Sequence, residues 1–151
     1  MTKAKSGILL YRATRDGFAA SNFHSNCDGK ENTVTIIETK TNYVFGGYTA
    51  AKWHSNGYIS DSNTYVFSLR KLGILTNLKY MVTSSTYAIY GGSSNGPTFG
   101  NHVLYINSNS NSNTGSYTQT SGYSYESDSS YMSGTYTSWL TSEIEVYQIF
   151  R

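Results

Sequence analysis

Several short stretches of this chain carry residue types at spacings that could support chemistry. Gly92-Ser93-Ser94-Asn95-Gly96 matches the Gly-x-Ser-x-Gly elbow, which lifts a nucleophilic serine on a sharp turn between a strand and a helix. Ala88 to Tyr90 could supply the strand, but Pro97 and Gly100 break any helix that would follow, so the segment is expected to be a turn. His24 and Cys27, three apart on a predicted helix and followed by Asp28, could share a metal. Structural zinc wants four nitrogen or sulfur ligands, and His54 and His102 lie far along the chain. Cys27 is therefore expected to be a small core hydrophobe with His24 at the helix edge, and no metal. Asp61-Ser62-Asn63 begins like a calcium loop but lacks the glycine and the closing glutamate. Glu143 and Glu145 fall on one face of a strand, about 7 Å apart by strand rise. Glycosidase carboxylates flank a cleft and usually come from different elements. A solvated strand face is expected there, with a binding role left open. The reading is of a chain with no catalytic residue and no cofactor.

Two other features point to binding rather than reaction. Trp53-His54 falls in a loop, where the indole either plugs the core from the side or anchors a partner at the surface. From Asn107 to Ser138, apart from Gln119, Glu126, Asp128 and Met132, the chain contains only Ser, Thr, Asn, Gly and Tyr. That is the composition of adaptable recognition loops. Tyr123, Tyr125 and Tyr131 are its candidate contact residues for a glycan or a partner.

The elements that must position these residues are mainly strands. Ile8 to Tyr11 reads as a short strand, and Asp16 as the cap of a helix of about three turns, with Ala19, Phe23 and Cys27 on its core stripe and Gly29 at its left-handed end. Thr33–Thr39 and Tyr43–Thr49 form a hairpin across Lys40-Thr41-Asn42. Tyr65 to Leu69 is a buried-type strand, and Met81-Val82, Ala88 to Tyr90 and Val103 to Ile106 are shorter ones. Glu143 to Phe150 closes the chain as a half-buried strand, whose alternation fails at Gln148-Ile149 through a bulge or two-sided burial. The Asn-Ser alternation from Asn107 to Asn113 reads as an exposed loop. A structureless stretch as long as Asn107–Ser138 is improbable in a compact domain, so parts of it should pair onto the sheets.

Length and charge narrow the classes. At 151 residues the chain is expected to be one domain, burying about 70% of its unfolded surface. Hydrophobic residues make up 38%, and with 15 tyrosines, Tyr is expected to do much of the core filling. The single Cys excludes an internal disulfide. Ten basic residues lie between Lys3 and Lys79, whereas Tyr80 to Phe150 holds four acids and no base. Phosphate-backbone binding needs clustered cations, which that half cannot supply, so no nucleic-acid partner is expected. No apolar run approaches a membrane span and no membrane insertion is expected. The start has no signal sequence, and no Asn-x-Ser/Thr acceptor occurs, so a cytoplasmic protein is expected, or a secreted one if this is a mature form that lost a signal peptide.

An ordered set of motifs then spans nearly the whole chain. It runs Leu10-Tyr11-Arg12, Arg15-Asp16-Gly17-Phe18, Phe23-His24, Cys27-Asp28, Phe45-Gly46-Gly47-Tyr48, Trp53, Gly96-Pro97-Thr98-Phe99-Gly100, Leu104-Tyr105-Ile106 and Ser142-Glu143-Ile144-Glu145-Val146-Tyr147. Together these resemble the TLDc domain, the module of eukaryotic oxidation-resistance proteins, in a short version lacking the N-terminal helical part. The resemblance implies an α+β, mainly β fold over residues 1–151: a two-sheet antiparallel β-sandwich with a short helix at about residues 17–27. It also implies protection against oxidative stress and, in several members, association with the vacuolar proton-pumping ATPase. The loop Gly100-Asn101-His102-Val103 departs from the glycines and Asp usual there, which makes Asn101 and His102 candidates for an altered contact. Three readings stay open: a non-catalytic protein-interaction module, a glycan-binding module, and a redox enzyme acting through Cys27.

Overall fold

The computed structural model describes residues 6–118, 132–134 and 137–150. Two antiparallel sheets pack face to face. The larger has the strand order β1-β11-β2-β3-β5-β6, from β1 (Ser6–Arg12), β11 (Thr141–Phe150), β2 (Thr33–Thr39), β3 (Val44–Thr49), β5 (Tyr65–Lys71) and β6 (Ile74–Met81). The smaller has the order β10-β9-β8-β7-β4, from β10 (Tyr117–Thr118), β9 (Leu104–Asn107), β8 (Asn95–Phe99), β7 (Ile89–Tyr90) and β4 (Tyr58–Ile59). This is the sandwich the motifs implied. Between the sheets lie Ile37, Phe45, Val66, Ile144 and Val146 from one side and Ile89, Phe99, Leu104 and Ile106 from the other.

The helical part differs from expectation. A four-residue turn, α1 (Ala13–Asp16), precedes a two-turn helix, α2 (Ala20–Cys27). Asp16 does not cap α2: its carboxylate accepts from the Arg12 backbone N–H at 3.0 Å and from Arg15. The backbone N–H of Ala19 instead donates to Asn22 Oδ1 at 3.1 Å. The buried stripe is Ala20, Phe23, His24 and Cys27: Phe23 and Cys27 face the core as expected, Ala20 takes the place expected for Ala19, and Gly29 does take a positive φ of 83°. His24 is buried rather than at the edge. Its Nδ1 faces Asp28 Oδ1 at 2.8 Å and its Nε2 faces the carbonyls of Gly92 and Asn95 at 3.0 Å, fastening α2 to the turn before β8.

Other elements also depart from the reading. The irregularity expected at Gln148-Ile149 lies instead on β1, where Leu10 is skipped between the pairs Leu9↔Tyr147 and Tyr11↔Val146. The Asn107–Asn113 loop is not simply exposed. Ser110 is wholly buried, its carbonyl accepts the Thr141 N–H at 3.0 Å and its hydroxyl meets Thr141 Oγ1 at 2.7 Å. Among the described tyrosines only Tyr11 and Tyr48 are core residues, so Phe, Trp, Ile and Val do the filling and most Tyr rings face outward.

Asp61, the start of the incomplete calcium loop, is a structural hub. Its carboxylate accepts from the Thr49 hydroxyl and the Ala50 N–H at 2.8 Å, the Thr64 hydroxyl at 2.5 Å and the Asn63 N–H at 2.9 Å. Desolvation pushes its pKa up, but those donors outweigh it and hold the group below its ordinary 3.8. A carboxylate depressed in the folded state stabilises above its ordinary pKa and loses that contribution as the pH falls through the folded value. Asp61→Asn should therefore cost about 2 kcal/mol near neutral pH. Urea titrations across acid pH should show the gap to wild type closing below 3.8. A pH-independent gap would contradict this role.

Candidate functional site

The outer face of the smaller sheet carries one continuous row of aromatic rings. Alternation makes it: Ile89, Leu104, Ile106 and Thr118 point inward, so Tyr90, Tyr105 and Tyr117 point out. Register then aligns them across the strands as Tyr58↔Tyr90↔Thr98↔Tyr105↔Tyr117. Tyr58 and Tyr90 sit 4.9 Å apart between ring centroids, and Tyr105 and Tyr117 stack at 4.9 Å. At the centre, where Thr98 offers no ring, His102 reaches in from the β8–β9 turn. Its ring lies 5.0 Å from Tyr90 and 5.5 Å from Tyr105, closing the gap. The turn that delivers it is tight: Gly100 and His102 both have positive φ, 71° and 59°. Tyr87 packs edge-on against Tyr58 at 4.9 Å and extends the row at one end.

Polar atoms border the rings. Tyr58 donates its hydroxyl to Asn101 Oδ1 at 2.5 Å, and Tyr105 donates to Asn107 Oδ1 at 3.1 Å. Burial lowers His102 below its ordinary 6.5, so the imidazole is neutral at neutral pH. Burial also raises Tyr58 and Tyr105 above the usual phenol value. The row is thus uncharged, half-buried and edged with hydroxyl and amide groups. Such a face can stack on a flat ligand surface and hydrogen-bond at its margin. Nothing in it is placed to act as an activated nucleophile.

The sequence candidates divide between this face and the framework. Asn101 and His102 belong to the row. Trp53 is fully buried and takes the plug position: it packs edge-on against Phe23 at 5.1 Å and Phe99 at 5.8 Å, and its Nε1–H donates to Thr33 Oγ1 at 2.9 Å. His54 is exposed, its Nδ1 accepting the Asn56 N–H at 3.0 Å. Glu143 holds the α1 turn, accepting the Thr14 N–H at 3.1 Å and the Thr14 hydroxyl at 2.5 Å. Glu145 pairs with Arg12 at 2.9 Å and accepts the Tyr147 hydroxyl at 2.6 Å. The two carboxylates therefore serve β1–α1 and do not converge on a cleft. Tyr123, Tyr125 and Tyr131 lie outside the described residues.

The remaining reactive candidates have structural surroundings. Ser94 sits on the turn between β7 and β8, and a strand follows it where an elbow needs a helix. Cys27 is sealed in the core, and burial, with the Asp28 and Asp16 charges adding to it, pushes the thiol pKa up. It should react slowly with a thiol reagent in the native protein and fast once unfolded; rapid native labelling would restore the redox reading.

The family model of the TLDc domain matches residues 2–150. The chain belongs to the TLDc family. In this TLDc domain the Phe-Gly-Gly-Tyr motif is a point of close approach between neighbours. A Cβ on Gly46 would lie 1.8 Å from the Thr35 carbonyl oxygen, and one on Gly47 2.4 Å from the Phe99 ring. The aromatic row, by contrast, escaped the sequence reading. Leu104-Tyr105-Ile106-Asn107 and Ile89-Tyr90 already show which face each tyrosine takes. That they line up across strands depends on register, which the sequence does not display.

Proposed function

We propose that this TLDc domain is a non-catalytic interaction module that docks a protein partner on the aromatic row. The observation that carries the reading is the uncharged row of Tyr58, Tyr90, His102, Tyr105 and Tyr117. Tyrosine gives large rigid contact area at low entropic cost, which is why it is enriched where binding energy concentrates. The structural engagement of Cys27, Glu143 and Glu145 adds weight against a catalytic role. Family resemblance points to the vacuolar proton-pumping ATPase as the partner and to oxidative-stress protection as the process.

A glycan is the second reading, favoured by one feature: tyrosine faces bordered by Asn101 and Asn107 match the alternating apolar and hydroxyl faces of a sugar. A glycan array run beside a pull-down from eukaryotic lysate separates the two. Retention of the proton pump with no saturable sugar signal supports protein docking. Saturable binding of a defined sugar, lost in Tyr90→Ala, would replace it. Either interaction should change only a few-fold between low and physiological salt, because the face carries no charge to screen.

A further inference from the structure

The β5–β6 hairpin carries a second surface of different chemistry. Its two-residue turn, Leu72-Gly73, has positive φ at both positions, 50° and 81°. Such turns favour Gly, which has no Cβ to strain, or Asn and Asp, whose short polar side chains tolerate the left-handed region, at the first position. Here a leucine occupies it and is 66% exposed. The next two side chains, Ile74 and Leu75, are 71% and 76% exposed, so the three most exposed large hydrophobics of the described residues are clustered on one tip. Neither their packing nor their turn chemistry serves the fold.

Cations flank this tip. Arg70 and Lys71 precede the turn, and neither has a carboxylate within ion-pair distance among the described residues. Gly73 N–H donates to the Asn42 carbonyl at 3.3 Å, which ties the tip to the β2–β3 turn and brings Lys40 to the same end of the sheet. Lys40 Nζ donates to a backbone carbonyl, that of Asn111 at 2.8 Å, so its charge stays uncompensated by that contact. Glu38, which lines a shallow groove together with Arg70 and Leu75, makes no ion pair with Arg70 and accepts from the Ser142 hydroxyl at 2.8 Å, so among the described residues three cations face one acid at this end. Exposed aliphatics at a convex tip, with cations behind them, are complementary to an anionic surface with an apolar interior.

We propose that the β5–β6 tip docks on an anionic lipid surface, with Leu72, Ile74 and Leu75 entering the interfacial region and Arg70, Lys71 and Lys40 facing lipid headgroups. No helix among the described residues is long and apolar enough to cross a membrane, and a shallow tip needs none. Apolar entry supplies the hold, and the cations select anionic lipid. A convex tip suits a yielding lipid interface better than a folded partner, which would need a matching recess. The tip lies on the other sheet from the aromatic row and the proposal does not depend on it.

The test is co-sedimentation of the full chain with phosphatidylcholine vesicles, with and without phosphatidylserine. The wild type should sediment only with the phosphatidylserine vesicles. Leu72→Ser/Ile74→Ser/Leu75→Ser should bind at least about tenfold more weakly. Arg70→Gln/Lys71→Gln should also bind more weakly and with less salt dependence. Four of the five positions are exposed and Lys71 is half-buried, and unchanged thermal melts would show that the fold is kept. As a second readout, an environment-sensitive dye on Leu75→Cys should shift to the blue on the anionic vesicles. The proposal is overturned if the wild type stays in solution with phosphatidylserine vesicles at low salt, or if the serine variant binds as well as wild type. It is equally overturned if the tip proves instead to hold an acidic apolar peptide or a second copy of the chain, seen as peptide capture or a concentration-dependent dimer that the serine variant abolishes.

Discussion

Trp53→Ala should cost this domain about 4 kcal/mol, the scale of a fully buried tryptophan removed from a core. The indole is wholly enclosed and joins α2, through Phe23, to the smaller sheet, through Phe99, while its Nε1–H satisfies the Thr33 hydroxyl on β2. Removing it opens a cavity where three elements meet. With domain stabilities of about 5–15 kcal/mol, such a loss takes a large share of the total and should lower the melting temperature by about 10 °C. Trp53→Phe keeps much of the apolar contact but removes the donor to Thr33, and should cost about half as much. Urea denaturation followed by circular dichroism measures both. A loss under about 1 kcal/mol for the alanine variant would mean the indole is not the plug described.

Gly46→Ala should be at least as damaging, though it adds only a methyl group. The added carbon would meet the Thr35 carbonyl oxygen at 1.8 Å and its carbon at 2.9 Å, both backbone atoms of the neighbouring strand β2. Backbone in the middle of a sheet cannot yield without breaking the β2–β3 ladder, so we expect a loss of about 4 kcal/mol or more, or no folded protein. Gly29 provides the contrast. Its φ of 83° strains any side chain, but nothing lies within 4 Å of a Cβ there. Gly29→Ala should cost only about 1 kcal/mol. Gly46 itself has no positive φ, so a loss there no larger than at Gly29 would show that close approach to β2 does not constrain the Phe-Gly-Gly motif.

The sequence showed the framework where local pattern and burial agree. Thr33–Thr39 with Val44–Thr49, Tyr65–Lys71 and Thr141–Phe150 are strands whose inward residues are mostly apolar or β-branched, Ser68 being an exception. It failed where tertiary context overrides pattern. Strand β6 is mostly illegible in the sequence because Ile74, Leu75 and Leu78 do not alternate; Asn77, with a φ of 50°, interrupts the pleat, and the tip's side chains are exposed. Strand β8 was hidden by Gly96 and Pro97, which signal a break. In the structure its pairing with β9 shifts register between Asn95 and Thr98, and the proline falls in that irregular stretch. The tyrosines misled for a related reason. Alternation says which face of a sheet a Tyr occupies but not whether a second sheet covers that face. Sequence alone thus points to Asn101 and His102 but not to Tyr58, Tyr90, Tyr105 and Tyr117, which only register brings together.

The central claim is that the aromatic row is the docking surface, and one comparison tests it most directly. Wild type, Tyr90→Ala/Tyr105→Ala and Lys30→Ala/Lys40→Ala/Lys52→Ala would be titrated against the proposed partner, the vacuolar proton-pumping ATPase, with thermal melts on the same samples. The tyrosine pair should weaken binding by about 2 kcal/mol or more, roughly thirtyfold, beyond any change in stability. The lysine set should change it by no more than a few-fold. Tyrosine variants that bind like wild type, or that lose binding only in proportion to lost stability, would contradict the claim, as would lysine variants with the larger effect.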